Sequence, residues 1–278
     1  MAVRAVAALG AATALTLSYM AFESQWLRRR DHDIDVPGLD PRLDGFTVVQ
    51  LSDLHTGSSP SFNLRALRKA VDLTRAVDPD LVAVTGDFVT GPSRLDELKS
   101  ELRRLTARYG VYGVQGNHDH GLIKVVKAAA VDLSTLDEAG VRLLANECEA
   151  IAVDGATVQV CGIDDLRHGF GDLEPVLAAL DRRPGVLRLL LSHYGEVVER
   201  CAPDHFALIL AGDTHGGQIC LPWAGGRIML SDPRAKHRAG YYEEDGRRLC
   251  VTSGVGTSFL PLRLFCRPEV VVFRFRSA

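Results

Sequence analysis

Residues 46–52, Phe-Thr-Val-Val-Gln-Leu-Ser, run straight into Asp53-Leu54-His55. The first seven are β-branched and apolar enough to read as a buried strand, and the acid and imidazole follow at its carboxyl end. The same grammar recurs four times. Leu81–Thr85 is followed by Gly86-Asp87, and 111–115 by Gly116-Asn117-His118-Asp119. Strand 186–191 leads into Ser192-His193, and 206–210 into Gly212-Asp213-Thr214-His215-Gly216-Gly217-Gln218. Between the first three strands lie helical stripes, Leu64, Leu67 and Val71, then Leu95, Leu98, Leu102 and Leu105. A strand–helix–strand–helix–strand order predicts parallel pairing with crossover helices.

Further on, the pattern becomes mixed. A helix is predicted within 122–139 and a short strand over 141–144. Strands 151–153 and 157–160 flank Asp154-Gly155, a hairpin signal. A helix is expected over 173–180, a second hairpin at Asp245-Gly246, and a closing strand over 270–275. The expected fold is α/β: two mixed β-sheets packed face to face with flanking helices, preceded by an N-terminal membrane helix. The divisions read from sequence are 1–24 as a transmembrane anchor, 25–44 as a linker, and 45–278 as the folded domain.

The anchor rests on 5–22, an uncharged apolar run near the minimum length for crossing a bilayer. Tyr19, Met20 and Phe22 occupy the end where a cleavable signal would place small residues, so the segment reads as uncleaved. Arg28, Arg29 and Arg30 outnumber Arg4 across it, which by the positive-inside bias places the domain in the cytoplasm. A net charge of −3 with no basic stripe excludes nucleic acid as a bulk electrostatic partner. The six cysteines, at 148, 161, 201, 220, 250 and 266, include no C-x-x-C pair. They read as buried reduced thiols, leaning toward a reducing compartment.

In α/β sheets, ligands collect outside the carboxyl ends of strands, so five strand-end clusters can converge although far apart in sequence. Their carboxylates, imidazoles and carboxamide suit Mn²⁺, Fe or Zn²⁺ better than Ca²⁺, and the lack of Cys argues against a closed structural zinc site. By composition this is a catalytic metal site.

The ordered series D-x-H, G-D, G-N-H-D, a lone His, and G-x-T-H-G-G-Q resembles the calcineurin-like metallophosphoesterases. It is most similar to the membrane-associated bacterial phosphodiesterases of the YkuE/YaeI type, from about residue 43 to the C-terminus, including Gly162-Ile163-Asp164-Asp165 and Gly256-Thr257-Ser258. The resemblance implies a metallophosphoesterase-like four-layer sandwich and two divalent cations, with Mn²⁺ or Fe favoured over Zn²⁺ or Mg²⁺. It implies that Asp53, His55 and His215 hold the first cation, that Asp87 bridges, and that Asn117 and His193 hold the second. His118 would donate a hydrogen bond or proton toward the phosphate, with Asp119 orienting it. It also implies a phosphodiester or pyrophosphate substrate, and the subfamily's association with UDP-diacylglucosamine-type lipid A precursors extends this to a lipid-linked one at a bacterial inner membrane.

One position departs from the pattern. The last motif usually begins with His, and here it is Asp213. Asp213 is a harder ligand for the second cation, or too short to reach it, or the mark of an impaired metal-binding membrane scaffold. Because every other ligand position is intact, the first reading is favoured. Among the rest, His120, His32, His168, His205 and His237 read as surface residues, Asp164 and Asp165 as ligand-orienting or turn residues, and 254–256 as a loop lining the site.

Overall fold

Apolar runs become strands in the order the sequence predicts. The computed structural model describes residues 1–58, 60–91, 93–122, 129–223, 226–229 and 235–278. The described strands are β1 (Arg28–Val36), β2 (Thr47–Leu51), β3 (Leu81–Thr85), β4 (Val111–Val114), β5 (Val141–Leu143), β6 (Glu147–Val153), β7 (Ala156–Gly162), β8 (Leu187–Leu191), β9 (Leu208–Ala211), β10 (Cys220–Trp223), β11 (Gly226–Met229), β12 (Gly240–Glu244), β13 (Arg247–Val251) and β14 (Glu269–Ser277). The α-helices are α1 (Ala2–Glu23), α2 (Pro60–Val77), α3 (Leu95–Leu102) and α4 (Glu174–Ala178).

Two six-stranded mixed sheets result, ordered β1-β14-β2-β3-β4-β5 and β12-β13-β9-β8-β7-β6. In the first, β2, β3, β4 and β5 run parallel, with β14 antiparallel to β2. In the second, β7, β8, β9 and β13 run parallel, with β6 and β12 antiparallel at the edges. Strand alternation sorts the side chains into layers. Val48, Leu81, Ala83 and Val114 of one sheet meet Val158, Leu187, Leu189, Leu208 and Leu210 of the other in the central core. Val49, Leu51, Val82 and Val84 point the other way, onto Leu64, Leu67, Val71, Leu98 and Leu102 of α2 and α3. Outside the second sheet, Val176 of α4 and Val197 of the 3-10 turn Gly195–Arg200 cover Cys161, Leu190 and Ile209. This is the expected four-layer sandwich. Each fully buried Leu or Val contributes about 1.5–3 kcal/mol, so the central layer dominates stability.

Three expectations are revised. The stretch 25–44 is not free chain, because nine of its residues form β1, paired in parallel along β14. Arg28 and Arg30 sit 2.7 and 3.4 Å from the buried Glu269 carboxylate, so the basic cluster is built into the sheet edge. The helix expected within 122–139 falls partly outside the described residues; its last six, Ser134–Ala139, form a 3-10 turn closed by Gly140 in the left-handed region. Lastly, Cys148 and Cys161 are disulfide-bonded, not reduced thiols. They stand directly opposite one another in the β6–β7 hairpin, where the pairing brings the two Cα atoms to 4.0 Å.

Candidate metal centre

All five polar clusters lie at the carboxyl ends of β2, β3, β4, β8 and β9, the central parallel strands of the two sheets. The chain turns sharply as it leaves these strands. Asp53, His55, Asp87, Asp213 and His215 all have φ between 46° and 68°, in the left-handed region that non-glycine residues rarely adopt. Such strain persists only where surrounding structure over-determines it, and it concentrates at functional sites. Two glycines show how tight the junction is. At Gly86, with φ +88°, an added Cβ would overlap the His193 ring, and at Gly254 it would fall 2.7 Å from the Asp53 Cβ.

The clusters meet in one buried knot. His55 Nε2 and His215 Nε2 face each other at 2.9 Å, and His215 Nε2 lies 3.5 Å from Asp53 Oδ1. Asp87 Oδ2 stands 3.4 Å from His55 Nε2 and also 3.4 Å from His193 Nε2, midway between two groups of ligands. Three overlapping triads could hold a cation: Asp53-His55-His215, Asp53-Asp87-His193 and His55-Asp87-His118.

Divalent cations fit this knot. Both carboxylate oxygens of Asp53 are buried without a hydrogen-bond partner, which is costly unless a cation occupies the space beside them. The protonation pattern agrees. Burial pushes the Asp53 carboxyl up to about 7, with Asp87 adding to the rise. Burial depresses His55 to about 3, helped by His118, His193 and Arg263, and takes His215 well below the usual imidazole range, helped by His55 and Arg263. Burial would lower His193 too, but Asp87 outweighs it and holds the ring protonated. For Asp87, burial is outweighed by His193, His118 and His55, and the carboxyl stays far below the ordinary range.

A family model for the calcineurin-like phosphoesterases matches residues 46–217, well over half the chain. The chain belongs to that family. It is 31% identical to the uncharacterized metallophosphoesterase YkuE of Bacillus subtilis (strain 168) over 92% of this chain and 87% of that one. It is 30% identical to the phosphodiesterase YaeI of Escherichia coli (strain K12) over 82% and 81%. A transmembrane protein with a metallophosphoesterase domain from Danio rerio is 28% identical, over 89% of this chain and 57% of its own length. The protein is thus a hydrolase of phosphoester bonds, and the knot is the candidate two-cation site of a metal-dependent calcineurin-like phosphoesterase.

The remaining predicted residues surround the knot. Asn117 donates from Nδ2 to the Leu122 carbonyl at 2.8 Å and accepts at Oδ1 from the Tyr194 hydroxyl at 3.2 Å. Asp213 lies in none of the triads. Its Oδ2 accepts from Arg167 Nη1 at 2.8 Å, while Oδ1 lies 3.8 Å from His193 Nε2. Asp119, expected to orient His118, has no direct bond to that ring; its two oxygens accept from the Val89 and Gly116 amides at 3.0 and 2.9 Å and fix the backbone of the loop that carries His118. The hydroxyl of Thr90 faces His118 Nδ1 at 3.0 Å and His55 Nδ1 at 2.8 Å.

Sequence reading missed several of these partners. Arg167 grips Glu196 at 2.5 and 2.7 Å, reaches Asp213, and lies 4.1 Å over the Tyr194 ring. Arg263 is fully buried and donates to the carbonyls of Ser253 at 2.8 Å and Gly256 at 2.6 Å, beneath His215. A lone Arg in a turn carries no local signal, and only the fold brings it to the site. Asp164 and Asp165 resolve as turn residues, Asp165 accepting from the Arg167 and His168 amides. His120 is not free at the surface, since it stacks 4.1 Å from Phe170 and pairs with Asp164 at 2.7 Å. His237 is buried against Tyr242, and His32 is half-buried between Tyr241 and Phe273.

Proposed function

We propose that this chain hydrolyses phosphodiester or pyrophosphate bonds at a two-cation centre, on a lipid-linked substrate, while anchored to a bacterial inner membrane by α1. The observation that carries this reading is Asp87 Oδ2, equidistant at 3.4 Å from His55 and His193, with the unpartnered oxygens of Asp53 beside it. In this proposal Asp53, His55 and His215 hold one cation, Asp87 serves both, and Asn117, His193 and Asp213 hold the other. Arg167 pins Asp213 Oδ2 and leaves Oδ1 for the cation. When bound, Mn²⁺ or Fe supplies charge for the phosphate oxygens and acidifies a water into a nucleophile; the hard carboxylate at 213 favours these over Zn²⁺ at the second position. His118, its Nδ1 set against Thr90, delivers a proton from Nε2 to the leaving oxygen.

The Arg28–Arg30 excess over Arg4 favours the cytoplasmic face, because the bias counts Lys and Arg and acidic partners contribute little. The Cys148–Cys161 bond favours the oxidising face instead. C-terminal reporter fusions decide between the two faces. The activity is tested on the full chain in detergent, with bound metals measured and mono-, di- and pyrophosphate esters assayed with added Mn²⁺. Diester or pyrophosphate turnover supports the reading. Bound metal with no turnover on any ester replaces it with the scaffold reading.

A further inference from the structure

The last turn of α1 is not a free tether. Glu23 is buried, and its carboxylate accepts from the Phe265 and Cys266 amides at 3.0 and 2.7 Å. The Met20 carbonyl accepts from the Arg263 amide at 3.1 Å, and the Trp26 ring lies under Arg267 at 3.9 Å. The rest of α1, residues 2–19, is exposed, apolar and roughly 27 Å long at helical rise, close to the thickness of a bilayer's hydrocarbon core. The loop that grips the last turn therefore lies within about one helical turn of the membrane surface.

That same loop forms the rim of the metal centre. Arg263 reaches from it to the carbonyls beside His215, Cys266 Sγ donates to the His215 carbonyl at 3.1 Å, and the Phe259 ring lies 6.0 Å from His118. Gln218, next to the last ligand motif, holds the Ser258 and Leu260 carbonyls at 3.2 Å each. The β10–β11 hairpin joins it through the Cys220 amide, which donates to the Leu264 carbonyl at 2.9 Å. Phe259, Leu260 and Phe265 of the loop, and the cross-strand pair Leu221 and Ile228 of the hairpin, are 40–55% exposed. Apolar side chains grouped on connected segments mark an interaction surface, and here the surface continues the apolar helix.

We infer that this rim rests in the lipid headgroup–acyl boundary, so that the metal centre opens onto the bilayer and takes phosphoesters whose acyl part stays in the membrane. The substrate part rests on the phosphoesterase reading; the contact with lipid does not. Continuity with α1 favours a bilayer over a protein partner as the occupant of the rim.

The test uses the full chain reconstituted in phosphatidylcholine bilayers. Leu260→Trp and, separately, Leu221→Trp are placed in a background with Trp26 and Trp223 changed to Phe, and quenching by lipids brominated near the headgroup is measured. Both rim tryptophans should lose about half their emission or more, as interfacial aromatics do. Tyr109→Trp, at the opposite ends of the strands, should keep its emission. Rim tryptophans quenched no more than Tyr109→Trp overturn the inference. In a second arm, Leu221→Gln/Leu260→Gln should slow hydrolysis of a diacyl phosphodiester in the same bilayers about tenfold, with a water-soluble nitrophenyl diester unaffected. An unchanged rate on the embedded ester overturns the substrate part. Failure of the wild-type chain on both esters and on a pyrophosphate diester refutes the phosphoesterase reading, and the quenching arm then still decides the lipid contact.

Discussion

Arg167→Ala separates positioning from simple electrostatics at the second cation position. Arg167 is about one-third exposed, and it makes two ion pairs and one ring contact. At that exposure the three contacts together stabilise the fold by only about 1–2 kcal/mol, so the variant should fold. Its effect on the site should be larger, because Arg167 fixes both Asp213 and Tyr194, and Tyr194 in turn holds Asn117. Loss of a group that orients metal ligands costs about 10–100-fold in affinity. The opposing effect is removal of one partly solvated positive charge near a dication, which with salt strengthens binding by about 1 kcal/mol. Positioning wins, and the second Mn²⁺ should bind about 3–30-fold more weakly. The first should be unchanged, since Asp53, His55 and His215 make no contact with Arg167. Equilibrium dialysis against graded Mn²⁺ with metal analysis resolves the two steps. Arg167→Lys keeps the charge without the planar fork and should also bind weakly. Second-step affinity in Arg167→Ala equal to or tighter than wild type would refute the argument, because electrostatics alone predicts that sign.

Other expectations follow from single features. Gly86→Ala places a Cβ into the His193 ring at a φ of +88° and should cost about 2 kcal/mol or more, with the cation at His193 lost; thermal unfolding and metal stoichiometry check both. In the metal-free protein Asp53 is neutral below about pH 7 and His193 stays protonated, so both protons must leave as cations enter. Overall affinity for two cations should therefore rise about a hundredfold per pH unit below pH 7 and about tenfold above it, and calorimetry in two buffers counts the released protons. Thiol titration of the unfolded chain should find four free cysteines without reductant and six with it. Closing a loop with a sequence separation of 13 is worth about 3 kcal/mol, so reductant should lower the unfolding midpoint; an unchanged midpoint would contradict this.

The sandwich and the convergence of its five strand ends were legible because both depend on local patterns. Buried parallel strands read as apolar runs, and polar residues at their carboxyl ends fall on one rim. What escaped depends on distance. β1 carries Arg28, Arg29, Arg30 and Asp31, a charged string that looks like a linker until Glu269 and Arg274 of β14 lie alongside it. The Arg167 and Arg263 contacts span 46 and 48 residues, and Thr90 meets His118 and His55 only because two loops cross. For Asp119 the resemblance implies a role in orienting His118, and the contacts that sequence does not show are those of its carboxylate to the Val89 and Gly116 amides.

The disulfide is a different kind of miss, since its signal was present. Cys148 lies six residues before Asp154 and Cys161 six after Gly155, so the hairpin turn alone makes them cross-strand partners. Directly opposed Cys residues in a hairpin lie close to one another, and whether they stay oxidised is set by the compartment. A chain whose domain faced the cytoplasm would be expected to present six titratable thiols on isolation under thiol-trapping conditions, and four would place it across the membrane.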